Sequence, residues 1–215
     1  MKDIAIYGAG GFGREVACLI NKINEVNPTW NLIGFFDDNY SLKGQNISHF
    51  GICNGGTDEL NNWNKPLSIV ISVCSTKAIM AIVERINNKL IDFPNLIHPS
   101  FVESDPETFV IGKGNIIQRG CTVSCNVKLG DFNVLNGAIV FGHDDEIGNY
   151  NVFMPAIRIS GEVKIGNGNF FGVGSIVLQQ IKIGNGIRLG AGSVLMTKPK
   201  DDSLYMGNPA KIFKY

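Results

Sequence analysis

His143 stands in the run Gly142-His143-Asp144-Asp145-Glu146, an imidazole followed by three acids. An imidazole with an ordinary pKa of about 6.5 can take the proton that an amine or a hydroxyl loses as it attacks, and a carboxylate can fix its tautomer. Successive residues of an extended strand point to opposite faces, so His143 and Asp144 can cooperate only if the chain turns or bulges there. A second constellation is the G-x-G-x-x-G of Gly8, Gly10 and Gly13, with Gly11 beside it. It follows the short apolar run 3–7 and precedes Val16, Leu19, Ile20 and Ile23, which share helical spacing. Strand, glycine turn and helix is an arrangement that brings backbone N–H groups to a phosphate. The alternative is a tight packing turn that binds nothing.

What positions His143 is a repeat. From Ile111 to Leu195 every sixth residue is apolar, and Gly directly follows that residue at positions 112, 130, 142, 148, 166, 172, 184 and 190. A period of six matches neither a helix nor plain strand alternation, so it describes a coil that turns a corner in each hexad, a parallel β-helix. The glycines suit a tight corner. Three hexads per turn predict roughly five turns over the fifteen hexads.

The glycine turn belongs to a separate unit. A second strand over 32–36 ends at Asp37-Asp38, near where a dinucleotide fold places a ribose-binding acid. A loop, a third strand over 67–73, a helix carrying Ile79, Ile82, Val83 and Ile86, and a short strand over 93–97 complete β-α-β-loop-β-α-β. This is one mononucleotide-binding half, a Rossmann-like α/β half domain. The organisation expected is thus 1–98 as a Rossmann-like domain, 99–197 as the all-β coil and 198–215 as a tail.

Lys and Arg together number 19, as do Asp and Glu, so global charge favours neither nucleic acid nor an anionic membrane. No apolar run approaches the roughly 20 residues of a membrane helix, and the start has no signal-peptide pattern, so a cytoplasmic location is expected. The five cysteines lack CxxC spacing, and His49 and His98 lie outside the repeat, so no metal site is expected.

The segments Ile6 to Gly13, Phe141 to Gly148, Gly161 to Gly166 and Gly207 to Lys211 resemble the hexapeptide-repeat sugar acyltransferases. Within them the likeness is to the sialic acid O-acetyltransferase and nucleotide-sugar N-acetyltransferase types. The resemblance implies a left-handed β-helix and a homotrimer, with acetyl-CoA as cosubstrate in a groove between neighbouring coils. The small N-terminal domain would hold a UDP-, dTDP- or GDP-linked sugar. It makes His143 the general base and Asp144 its support, and matches Asn136 to a position that contacts the substrate or the catalytic His. Asn136 is equally readable as a turn residue before Gly137. Many relatives carry a second His in the stretch that here reads Asn149-Tyr150-Asn151-Val152-Phe153.

Under this resemblance Gly8, Gly10, Gly11 and Gly13 give N–H groups to the pyrophosphate, and Asp37 or Asp38 accepts from ribose or base. Gly161, Gly172, Gly190 and Gly192 let pantetheine lie along the coil, with Lys198 or Lys211 near the CoA phosphates. The reaction implied is N-acetylation of a nucleotide-linked amino sugar, a 4-amino-4,6-dideoxyhexose, in bacterial surface-glycan (lipopolysaccharide O-antigen) synthesis. The alternatives are O-acetylation of sialic acid or another sugar hydroxyl, and a non-catalytic protein that binds sugar nucleotides.

Overall fold

A computed structural model describes residues 1–213 and divides into two compact units, Met1–Pro99 and a second that begins at Ser100. In the first, β1 (Lys2–Tyr7), α1 (Gly11–Val26), β2 (Trp30–Phe36), α2 (Thr57–Asn61), β3 (Leu67–Ile71), α3 (Thr76–Arg85) and β4 (Ile91–Asp92) follow one another. The strands are parallel in the order β2-β1-β3-β4. Ile4, Ala5, Ile6, Ile69 and Val70 are fully buried, the continuous apolar run that a central parallel strand needs. The last strand of this sheet pairs at 91–92, and of the expected strand over 93–97 only Leu96–Ile97 is a strand, outside this sheet. Asp92 accepts from Ser68 Oγ on β3 at 2.8 Å, and Pro94 beyond it cannot donate to a ladder.

In the second unit, strands of mostly two residues are separated by tight turns, and every third strand pairs in parallel. Lys128–Leu129 pairs with Glu146–Ile147, and that strand with Lys164–Ile165, so one turn of the coil takes 18 residues. The expected ladder is the interior: Ile117, Leu135, Phe153, Phe171 and Leu195 are fully buried.

The corners differ from expectation in one respect. Asn126, Phe132, Ala138, Asp144 and Tyr150, each three residues after a ladder residue, take the left-handed φ values of 53° to 60° that turn the chain. The glycine directly after the ladder residue is needed for stacking instead. A Cβ on Gly142 would lie 2.4 Å from Gly161 N of the following turn.

A second interior column stands four residues after the ladder. On one face it is asparagine: Asn115, Asn133, Asn151 and Asn169 are fully buried. Each Oδ1 accepts a backbone N–H 18 residues on, at 2.8 to 2.9 Å. Each Nδ2 donates to the carbonyl 15 residues on, that of Gly130, Gly148, Gly166 or Gly184. Periodicity of apolar residues alone overlooks this column.

The coil also outruns its hexads. Val102–Glu103 pairs with Thr122–Val123 before the ladder starts, and one sheet reaches six strands where five turns are expected. The expected tail over 198–215 is, over its described residues 198–213, part of the second unit. Leu204–Met206 adds in parallel to Arg188–Leu189, and Lys211–Phe213 folds back antiparallel on it, covering a sheet edge.

Candidate active site

His143 lies in the turn after strand Val140–Phe141, and Asp144 is the left-handed residue of that turn, with φ 60°. This conformation breaks strand alternation and brings Asp144 Oδ2 to 2.7 Å from His143 Nδ1. An ionised carboxylate can only accept, so Nδ1 carries the hydrogen and Nε2 presents a lone pair. Asp144 Oδ1 in turn accepts from Asn126 Nδ2 at 3.0 Å, the corresponding side chain one turn earlier. Asn126 escapes sequence reading because only the 18-residue turn length links it to Asp144. The hydrogen bond to Asp144 raises the His143 pKa, and His143, then Asn126, hold Asp144 below the usual carboxylate range. Both side chains are about half exposed, at 54% and 48%.

One turn further, Gly161 makes room for the imidazole. A Cβ there would lie 2.6 Å from His143 Nε2. The backbone beside it differs from that of another corner. There the N–H groups of Lys113, Asp131, Asn149 and Asn167 are capped by the Asp or Asn side chain 18 residues on, at 2.7 to 2.9 Å. At the His143 corner the residue 18 on is Gly161, which has no side chain to offer. Among the described residues the N–H groups of His143 and Gly161 find no acceptor. The corner therefore places an imidazole beside backbone N–H groups that have no internal acceptor.

Other expected site residues are more dispersed. Asn136 lies in the turn before strand Val140–Phe141 and His143 in the turn after it, so one chain does not bring them together. Gly172 and Gly190 line an apolar hollow of about 250 Å³ with Met154, Phe170, Val173 and Arg188, whose guanidinium lies 5.4 Å from the Phe170 ring centre. Gly192 is a left-handed turn residue at φ 65°. Lys198 is exposed, in the turn position of Asp144 three coils on, and Lys211 is exposed on the last strand. In the stretch where the resemblance implies a second His, this chain uses structural residues: Asn149 caps Asp131, Tyr150 stacks on Phe132, and Asn151 belongs to the buried column.

The glycine loop corrects two expectations. The Gly8 N–H donates to Phe36 O at 2.7 Å, so it is not open to a phosphate. A Cβ on Gly13 would lie 2.0 Å from Gly8 O, which makes that glycine a packing requirement of the strand-to-helix turn. Gly10 and Gly11 stand clear, at the start of α1. The two acids also have partners within the domain. Asp37 accepts from Ala9 N and Asn39 N, both at 2.8 Å. Asp38 accepts from Tyr7 Oη, Thr57 Oγ1 and Arg85 Nη2. Burial works to raise the Asp38 pKa, but these hydrogen bonds outweigh it and hold it at about 2. Both carboxylates brace the loop, and the free positions lie in the first turn of the helix.

Residues 3–86 match the PglD N-terminal domain family. The acetyltransferase domain of PglB from Neisseria gonorrhoeae FA1090 superposes with TM-score 0.88 and 28% identity, over 99% of this chain and 100% of that one. A structure of that domain in complex with acetyl coenzyme A gives TM-score 0.87, 28% identity and 99% coverage of both chains. This chain has the fold of the hexapeptide-repeat sugar acyltransferases. Its coil is accordingly a left-handed β-helix. WeeI from Acinetobacter baumannii AYE shares the fold, with TM-score 0.87, 22% identity and coverage of 99% and 100%. So does a perosamine N-acetyltransferase from Caulobacter crescentus, in complex with CoA and GDP-perosamine, with TM-score 0.84, 21% identity and coverage of 100% and 98%. Comparison with curated protein sequences gives no match. Among the described residues no group of His, Cys, Asp or Glu side chains suited to a metal converges, and no helix is long and apolar enough to cross a membrane.

Proposed function

We propose that the chain transfers an acetyl group from acetyl-CoA to the amino group of a nucleotide-linked sugar, a 4-amino-4,6-dideoxyhexose, with His143 as general base. The observation that carries this is the relay Asn126–Asp144–His143 beside Gly161, whose N–H has no internal acceptor. The neutral amine attacks the thioester carbonyl and its proton passes to His143 Nε2, while Asp144 steadies the imidazolium. The Gly161 N–H receives the oxyanion, the C–S bond breaks, and the thiolate takes the proton from His143. The acceptor class follows the named substrate of the Caulobacter relative and the match of residues 3–86.

A half-exposed base is poorly insulated from water, and transfer needs a drier site. A homotrimer whose neighbouring coil covers the His143 corner supplies that enclosure. It also lets Asn136 of one copy approach the corner of another.

CoA release with a panel of UDP-, dTDP- and GDP-linked 4-amino sugars tests the reading. Turnover on one of them, lowered about 10² to 10⁴-fold by His143→Ala, is expected. No turnover on any, alongside turnover on free sialic acid, overturns it in favour of O-acetylation.

A further inference from the structure

Immediately behind the His143–Asp144 pair stands Asp145, fully buried and the single buried carboxyl among the described residues. Its column on this face is otherwise aliphatic, with Val127 one turn before it and Val163 and Ile181 one and two turns after. The two oxygens are unequally used. Oδ1 accepts from Val163 N at 2.8 Å, whereas Oδ2 has no partner. A buried unpaired carboxylate oxygen is costly.

The asparagine column on the neighbouring face shows what such a position requires. There each side-chain oxygen accepts the N–H 18 residues on, which is the bond Asp145 Oδ1 makes to Val163. Each asparagine Nδ2 donates to the carbonyl 15 residues on. With Oδ1 on Val163 N, Asp145 Oδ2 is the atom that corresponds to that Nδ2, and 15 residues on from Asp145 is Ser160, whose carbonyl belongs to the peptide that ends at Gly161 N. No N–H or O–H among the described residues accepts the role of donor to the Ser160 carbonyl.

We propose that Asp145 is a protonated positioning residue, whose Oδ2–H donates to the Ser160 carbonyl and holds the Ser160–Gly161 peptide beside His143. The peptide held is the one whose N–H serves the oxyanion, so the consequence for activity rests on the acetyltransfer reading above. A donor on its carbonyl both fixes the peptide plane and polarises the N–H at its other end.

Burial pushes the Asp145 pKa up to about 7, against the opposing pull of the Val163 and Gly142 amides. The charges that bear on it are His143, which favours its ionisation, and Asp144, which opposes it. Val127, Val163 and Ile181 contribute none.

The test uses the full chain with Asp145→Asn, which supplies a permanent donor, and Asp145→Val, which copies the rest of the column. Infrared difference spectra of wild type against Asp145→Asn, with carbon-13 aspartate to assign the band, are expected to show a carboxylic-acid C=O stretch at about pH 6. Unfolding by urea is expected to show wild type losing stability relative to Asp145→Asn as pH rises from the unfolded carboxyl value of about 3.9 to about 7, with no further loss above that. Neither readout depends on turnover, so they stand even if the substrate reading fails. In kinetics, Asp145→Val should lower kcat about tenfold with little change in KM, less than the 10² to 10³ for losing an oxyanion donor outright, and Asp145→Asn should restore it. A carboxylate band at pH 6, or stability curves that run parallel across the range, overturns the proposal. Should Asp145→Val fail to fold, the spectra still decide. An Asp145→Asn enzyme as slow as a foldable Asp145→Val would remove the positioning role.

Discussion

A methyl group on Gly161 would sit 2.6 Å from His143 Nε2, so the imidazole occupies the space that a side chain one turn away would fill. Gly161 does not take a left-handed φ, and alanine fits its backbone without strain. Gly161→Ala is therefore expected to displace the ring while leaving the coil folded. We expect kcat to fall about 10 to 10²-fold with thermal unfolding nearly unchanged. Full activity in this variant would exclude Nε2 as the reacting nitrogen in this orientation.

The Asp144 contact sets the pH range in which His143 is neutral. Asp144 raises the His143 pKa, so the acid limb of kcat/KM, which reports the free enzyme, should lie above the ordinary histidine value. Asp144→Asn keeps a residue tolerant of left-handed φ but removes the charge. The limb should then move to lower pH, and kcat at neutral pH should fall as the tautomer is no longer fixed. A pH–rate profile with an unmoved limb would separate Asp144 from the base.

The buried asparagines make a different demand. Asn133→Ala would orphan Asn151 N and Gly148 O in the interior and empty the space between two turns. Each unsatisfied buried group costs about 1 to 3 kcal/mol, and a loss of about 2 to 4 kcal/mol in urea unfolding is expected. A loss below about 1 kcal/mol would mean that water replaces the column freely.

In the first unit Arg85 and Asp38 couple stability to acid. The Asp38 pKa is held at about 2, below the unfolded value of about 3.9, so its contribution is present above about pH 4 and lost as pH falls towards 2. Arg85→Ala raises that pKa, and acid unfolding should begin at higher pH. Both side chains are nearly half exposed, at 48% and 44%, so the shift should be worth no more than about 1 kcal/mol. Coincident acid-unfolding curves for wild type and variant would count against the coupling.

The coil and the His143–Asp144 pair were readable because each depends on local spacing: one apolar residue in six, and two neighbours in sequence. Asn126 and the floor formed by Gly161 were not, since they meet the pair only across one turn of the coil. The asparagine column was hidden for a related reason. Its side chains are polar, and only the stacked geometry pairs each Oδ1 with an N–H. The G-x-G-x-x-G motif announced its turn correctly but not the use of each position. Gly8 and Gly13 answer packing demands from Ser72, Phe36 and each other that no local pattern displays.

The fixed offset of 18 residues between equivalent positions has a geometric consequence. Neighbouring strands lie about 4.8 Å apart, so every corner is an address on a ruler graduated in that unit. Relocating the base by one address takes four side-chain exchanges, equivalent to Asn126, His143, Asp144 and Gly161, with the backbone left as it is. Reach towards a bound acceptor is therefore adjustable in this architecture, but only in discrete steps.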